Sequence, residues 1–212
     1  GRGNNEIDGG VNVGSTVASF GADTGALLRM DGNVSGSGDI TYTGNGTVVV
    51  AAPNSFTGDV LVDTGATIQY ADAGNRFVDS VGVTVNSGGS YDLNNFDDTI
   101  GSLGGGGNLD LGSATLTTGG NDASTLFSGN ATGSGDLIKE GTGTMTFSGN
   151  NTFSGELEIT EGTASLGADN AFSDSMDLRF NGGTFATDGF ADAMDNLIVD
   201  SNSTLDFLSA SG

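Results

Sequence analysis

The 212-residue chain has no cysteine, no histidine and no tryptophan, a single proline (Pro53) and only five basic residues. Each shortage removes something. Without cysteine there is neither a disulfide framework nor a thiolate metal site. Without histidine the commonest general base is missing. A nucleic-acid partner needs a basic footprint to displace the counterions of phosphates. Here Arg2, Arg29, Arg76, Lys139 and Arg179 stand against 27 acidic residues, for a net charge of −22. Nucleic acid is therefore excluded, and docking on anionic lipid is disfavoured for the same reason. No stretch approaches the roughly 18 consecutive apolar residues of a membrane helix, which argues against direct membrane insertion. Absence of cysteine fits an exported surface protein. A first residue of Gly1 rather than Met reads as a processed product or an excerpt.

What the chain does have is 39 glycines, abundant Ser, Thr, Asn and Asp, and 35% hydrophobic residues. Low hydrophobicity with high charge is the disorder signature, but the apolar residues here alternate with polar ones, which favours an ordered all-β protein. The stretch GTGTMTFSGNNTFSGELEITEGTASLG, residues 141–167, shows the pattern. Met145 and Phe147 point inward while Thr144 and Thr146 face water. Leu157 and Ile159 point inward with Glu156 and Glu158 outside. Gly149-Asn150-Asn151 and Gly162 are expected to make the corners, because Gly and Asn tolerate positive φ cheaply.

The sequence repeats itself at two scales. Residues 36–65 and 133–162 align without a gap at an offset of 97, with 11 of 30 positions identical. The likeness resumes at an offset of 94, where NSGGSYDLNNFDDTIGSL (86–103) runs beside FNGGTFATDGFADAMDNL (180–197). A single β-solenoid over 1–212 is expected, built from two copies, about 36–130 and 133–212, with 1–35 as leading coils. Within the copies, Phe56, Phe77 and Phe96 are 21 and 19 residues apart, and Phe153, Phe172 and Phe190 are 19 and 18 apart. About 20 residues is one coil of a β-solenoid. These rings are expected to pack between coils.

Residues 135–167 resemble the passenger-associated transport repeat of bacterial autotransporters. The matching positions are Leu137, Lys139, Gly141, Gly143, Thr144, Met145, Phe147, Asn151, Thr152, Phe153, Gly155, Ile159, Gly162 and Leu166. The first copy departs from the pattern at Tyr42, which replaces the Lys, and at Pro53, which enters the corner. The resemblance implies a right-handed parallel β-helix, extracellular or displayed at the bacterial cell surface, with an adhesive or structural role.

Sharper chemistries fit the residues less well. Some parallel β-helices cleave polysaccharides, and Asp97-Asp98 offers an acidic pair, but the basic residues are isolated and no aromatic platform for sugar is evident. GGGGNLDLG (104–112) is similar to a calcium-binding nonapeptide with its spacing off, and reads better as a turn between coils. GSGD (36–39 and 133–136) lacks the helix and the Lys partner of a phosphate loop, so Asp39 and Asp136 are expected to cap corners. No catalytic, cofactor-binding or metal-ligating residue is assigned. Cofactors are expected to be none, though calcium bound loosely between acidic surfaces would need no motif. Acidity of this degree reads first as a solvated, self-repelling surface. The final STLDFLSASG is similar to mid-repeat sequence, and no amphipathic helix caps either terminus. Running the last residues into the first of a next copy inserts one extra coil and keeps phase, so a head-to-tail homopolymer joined by strand stacking is expected. The alternative is an adhesin fragment with a glycan or cell-surface ligand.

Overall fold

Strands of two to five residues, broken by turns, bury little within one coil. They become stable only when each coil lies on the next. The computed structural model, which describes residues 4–72 and 74–207, has that arrangement and contains no helix among the described residues. Its strands pair in parallel, each with the coil before and the coil after.

Each coil visits three faces in a fixed order. The first face is a seven-stranded sheet that runs from Asn4–Ile7 through Leu27–Met30, Thr47–Val50 and Thr67–Tyr70 to Asn130–Thr132. The second face is made in two pieces. A three-stranded sheet holds Val11–Asn12, Val34–Gly36 and Ser55–Phe56, and a six-stranded sheet runs from Asp98–Ile100 to Leu197–Val199. The third face is a ten-stranded sheet from Ala18–Ala22 to Thr204–Asp206. Ten stacked strands at about 4.8 Å give a rod of roughly 45 Å.

Alternation fills most of the interior, with consecutive buried residues in Thr47–Val50 and Thr163–Leu166. Leu116, Leu137, Leu157 and Leu178 are successive partners in register and are fully buried. On the third face Ile40, Val60 and Val83 do the same. Met145, Phe147, Leu157 and Ile159 point inward as expected, while Glu156 and Glu158 stay on the outer side. Burying each such side chain contributes roughly 1.5–3 kcal/mol, and the stack makes one continuous core.

The aromatic columns are shorter than the spacing suggests. Phe56 packs on Phe77 with ring centroids 5.7 Å apart, and Phe153 on Phe172 at 6.2 Å. Phe77 then meets Tyr70 and Tyr91, while Phe96 lies partly buried at the core margin. Phe190 is exposed. The tyrosines take the inward positions on the first face, which displaces Phe96 from the column.

Side-chain amides and carboxylates close the corners. The Asp39 carboxylate accepts the Asp59 N–H one coil on, at 2.9 Å, and Asp136 accepts that of Glu156 at 2.8 Å, so both do cap corners. Asn54 and Asn151 reach further. Each accepts an N–H from the preceding coil, of Val34 and Ala131, and donates to a carbonyl of the following coil, of Arg76 and Ala171. The GSGD turns are alike in both copies: Gly36 and Gly133 hold φ of 120° and 113°, and a Cβ on Gly38 or Gly135 would lie 1.9 Å from a carbonyl oxygen of the previous coil. Gly162 has the expected positive φ of 64°. The Gly149-Asn150-Asn151 corner is not made by positive φ. Gly149 is required because a Cβ would lie 1.6 Å from the Gly129 carbonyl oxygen, and Asn151 is the buried adaptor.

Equivalent segments of the two copies occupy different faces. Ile40–Gly44 and Val60–Val62 are on the third face, but their counterparts Leu137–Lys139 and Glu156–Ile159 are on the second. Thr47–Val50 and Thr67–Tyr70 are on the first face, and their counterparts Thr144–Phe147 and Thr163–Leu166 are on the third. One repeat therefore falls a third of a turn short of five coils.

Asn151→Ala removes a buried side chain that links three coils and leaves the Ala131 N–H without its acceptor, while the Ala171 carbonyl keeps the Asn151 N–H. An orphaned backbone group costs roughly 1–3 kcal/mol, and a loss of about that size is expected in denaturant unfolding. Thr152→Ala, at the exposed neighbouring position, should change stability by no more than about 0.5 kcal/mol.

Candidate functional site

The acidic pair singled out in the sequence lies where the chain enters a strand, with Asp97 just before Asp98–Ile100. Asp97 points outward and its Oδ1 accepts the Thr115 N–H at 2.7 Å. Asp98 points inward and is buried. Both line one open hollow with Asn75, Thr99, Thr115 and Thr117, but each carboxylate already accepts a backbone N–H, Asp97 from Thr115 and Asp98 from Arg76.

Asp98 instead ends a buried polar chain. The Tyr70 hydroxyl donates to Asp98 Oδ2, and the Tyr70 and Tyr91 hydroxyl oxygens are 2.6 Å apart. Since the Tyr70 proton goes to Asp98, Tyr91 donates to Tyr70. The Arg76 N–H donates to Asp98 Oδ1 at 3.1 Å. The Arg76 guanidinium, also buried, donates to the Asp72 and Ala51 carbonyls and pairs with the Asp72 carboxylate. Burial pushes the Asp98 carboxyl up to about 6, against the pull of the Tyr70 hydroxyl and the Arg76 amide. Both tyrosine hydroxyls are raised by burial, and by the nearby Asp98 charge. Sequence reading did not assemble this cluster. The available signal was the one-coil spacing of Tyr70 and Tyr91, two of only three tyrosines.

Lys139 is the second buried charge. Its strand alternates inward at Leu137 and Lys139, so the ammonium has to turn at the corner to find partners. Nζ donates to the carbonyls of Glu140 (2.6 Å), Gly141 (2.8 Å) and Glu161 (3.4 Å). Burial lowers its pKa, and the charges of Glu161, Asp122 and Glu140 oppose that shift. The ammonium ties two successive coils together from within. Outside it, two open hollows join along the corner between the second and third faces, sharing Thr160 and Glu161. Asp122 on this margin is committed to the Thr142 N–H and hydroxyl.

Two acidic features remain. GGGGNLDLG is a turn only in part: Gly106-Gly107 make the corner between Ser102–Gly105 and the strand Asn108–Asp110, and Asp110 Oδ1 accepts the Gly112 N–H at 2.9 Å at the next corner. Glu6, Asp8 and Asp31 bring carboxylate oxygens within 4.8 Å of one another near the first coil, a grouping the sequence did not suggest. Arg29 donates to both oxygens of Asp31, at 2.9 and 3.0 Å, and supplies the positive charge among them.

At the far end, Leu197 and Val199 continue in register the inward columns of Leu178 and Phe180. Leu178 and Phe180 are buried, whereas Leu197, Val199 and Phe207 are 49%, 60% and 70% exposed. The last described coil therefore offers an apolar surface shaped for another coil.

Comparison with known proteins fits this architecture. The family profile described as passenger-associated-transport-repeat matches residues 40–69 and 137–163, near the start of each copy. The chain is similar to the adhesin BmaC autotransporter of Brucella suis biovar 1 (strain 1330), with 36% identity over 200 residues. That similarity covers 86% of this chain and 6% of the Brucella protein, so the chain spans only a small part of its relative's length. No solved structure matches the chain.

The second matched stretch contains both Lys139 and Asn151. Lys139→Met keeps the aliphatic stem and deletes the ammonium, leaving carbonyls at the corner short of a donor. A loss of about 2–3 kcal/mol is expected, measured as a lower denaturation midpoint. An unchanged midpoint would show that the ammonium does not hold the corner.

Proposed function

We propose, for a chain that belongs to the autotransporter-passenger β-helices and carries two passenger-associated transport repeats, the role of a stiff stalk segment in a surface adhesin. Passenger material of this kind is extracellular or displayed at the bacterial cell surface. The observation that carries the stalk reading is continuity. One core and repeated side-chain corner locks run through about ten coils, and the ten-stranded third face continues without a break from Ala18–Ala22 to Thr204–Asp206. A solenoid whose coils each contact only their neighbours resists bending in proportion to how fully each interface is satisfied. The outer surface supports the same role. With a net charge of −22 it repels its copies laterally. The carboxylates of Asp39, Asp59, Asp97, Asp122 and Asp136 accept backbone N–H groups of adjoining coils and so serve the stack rather than a reaction. A catalytic role finds no support in this arrangement, and no glycan or host-surface site is assigned to this segment.

End-to-end association is a second reading, favoured by the apolar columns at Leu197, Val199 and Phe207. A second copy would cover them by adding a coil in register, with main-chain hydrogen bonds as the glue.

Beads coated with the purified chain test the first reading. They are expected to bind host cells no better than albumin-coated beads, and saturable binding blocked by free chain would place an adhesive site on this segment. Sedimentation at rising concentration tests the second. Growth into longer rods that Val199→Glu abolishes is the supporting outcome, and monomers at every concentration would end it.

A further inference from the structure

The polar cluster around Asp98 is an addition to a scaffold that the chain builds a second time without it. In the first copy a strap, residues 74–81, crosses the rod where the second face lacks a strand. Asn54 holds the strap from one side through the Arg76 carbonyl, and Asp98 holds it from the other through the amides of Arg76 and Phe77, with the Thr99 amide of its own strand as a third donor. The second copy repeats the device. Asn151 grips the Ala171 carbonyl, and Asp192 takes the amides of Phe172, Ala193 and Ala171. The side chains differ. Where the first copy has Tyr70, Tyr91 and Arg76, the second has Leu166, Phe185 and Ala171 in the corresponding positions, all buried. The strap and its carboxylate thus need no hydroxyl chain and no guanidinium in order to fold.

We propose that the 74–81 strap is an acid-tightened latch: uptake of one proton by the Asp98–Tyr70–Tyr91 chain fastens it, so that the rod resists opening at this coil more strongly in mildly acidic than in neutral surroundings. The geometry provides both proton arrangements. With Asp98 ionised, Tyr91 donates to Tyr70 and Tyr70 to Asp98. A proton on Asp98 makes its oxygen a donor to Tyr70, and Tyr70 then turns its own proton toward Tyr91. The groups that face Asp98 are few. Tyr70 and Tyr91 come from the first face, with Tyr42 behind Tyr91, and Arg76 comes from the strap, with Asp72 paired to its guanidinium. Leu116, its partner on the second face, is uncharged, and Asp97 lies on the outer side.

The sign follows from the raised carboxyl. Asp98 titrates at about 6 in the fold, against 3.8 for a free side chain. Between those values the closed strap holds a proton that an opened chain releases. The cost of an ionised, buried Asp98 is present in full above about pH 6 and shrinks as the pH falls toward 4. Asp192 is also raised by burial, but it is half-exposed and faces no hydroxyl chain, so the second strap should respond less.

Amide hydrogen exchange from pH 7.5 to pH 4.5, corrected for the intrinsic rate, reads this directly on the intact chain. The opening constant of residues 74–81 is expected to fall roughly ten- to a hundred-fold on acidification, with a smaller change across 167–176. Asp98→Asn should flatten the 74–81 profile while keeping the strap protected. A profile in Asp98→Asn that parallels the wild type, or equal slopes in both straps, would overturn the proposal. Should Asp98→Asn not fold by circular dichroism, Tyr70→Phe decides. It removes the donor to the ionised carboxylate and should move the midpoint to higher pH, and an unmoved midpoint would equally overturn the latch.

Discussion

The fold depends on one constraint: almost no strand in it can satisfy its own backbone. A helix pairs its amides internally, and a hairpin pairs within a dozen residues. Here every N–H and C=O of a strand looks along the rod for a partner about 20 residues away in either direction. A coil that opened alone would strand the polar groups of both neighbours as well as its own, and buried unpaired groups of this kind are costly. The corners raise that penalty. There the chain leaves the ladder, and the Asx side chains and the Lys139 ammonium restore the missing bonds across coils. Stability therefore lies in interfaces between coils rather than within them.

Much of this could be read from the sequence because the constraint leaves a regular trace. The strand period, the inward set Met145, Phe147, Leu157 and Ile159, the capping of corners by Asp39 and Asp136, and the corner after Asp110 all follow from alternation and spacing. Spacing failed where two residue types competed for one column. Phe96 has the right interval below Phe77, but Tyr91 points inward on the first face and takes the place against that ring. Close approach was equally invisible. Gly149 looks like a turn residue in the sequence, yet what requires glycine there is a carbonyl one coil away. The buried charges were hidden for a related reason. A lone Lys or Arg in an acidic chain reads as a surface residue until a corner is found that encloses it.

The two copies make a natural comparison within one molecule. Leu166 and Phe185 fill with hydrocarbon the places where Tyr70 and Tyr91 carry hydroxyls. Buried hydrogen-bonded groups seldom add net stability over well-packed apolar ones, so the first copy gains no obvious firmness at neutral pH from its polar set. Lys139 shows the opposite history. It stands in the second copy, and Tyr42, buried and without charge, stands in the first. Each copy thus carries one ionisable specialisation on a shared frame, and in each case the frame tolerates a neutral replacement.

The repeat that falls a third of a turn short of five coils shapes anything longer built the same way. Side chains that recur in each copy wind round the shaft like the treads of a spiral stair, and regain their first compass bearing only after three copies. A filament so made has no front or back. Its charges and grooves face every direction in rotation, and a neighbouring cell could approach from any angle and find the same succession of features.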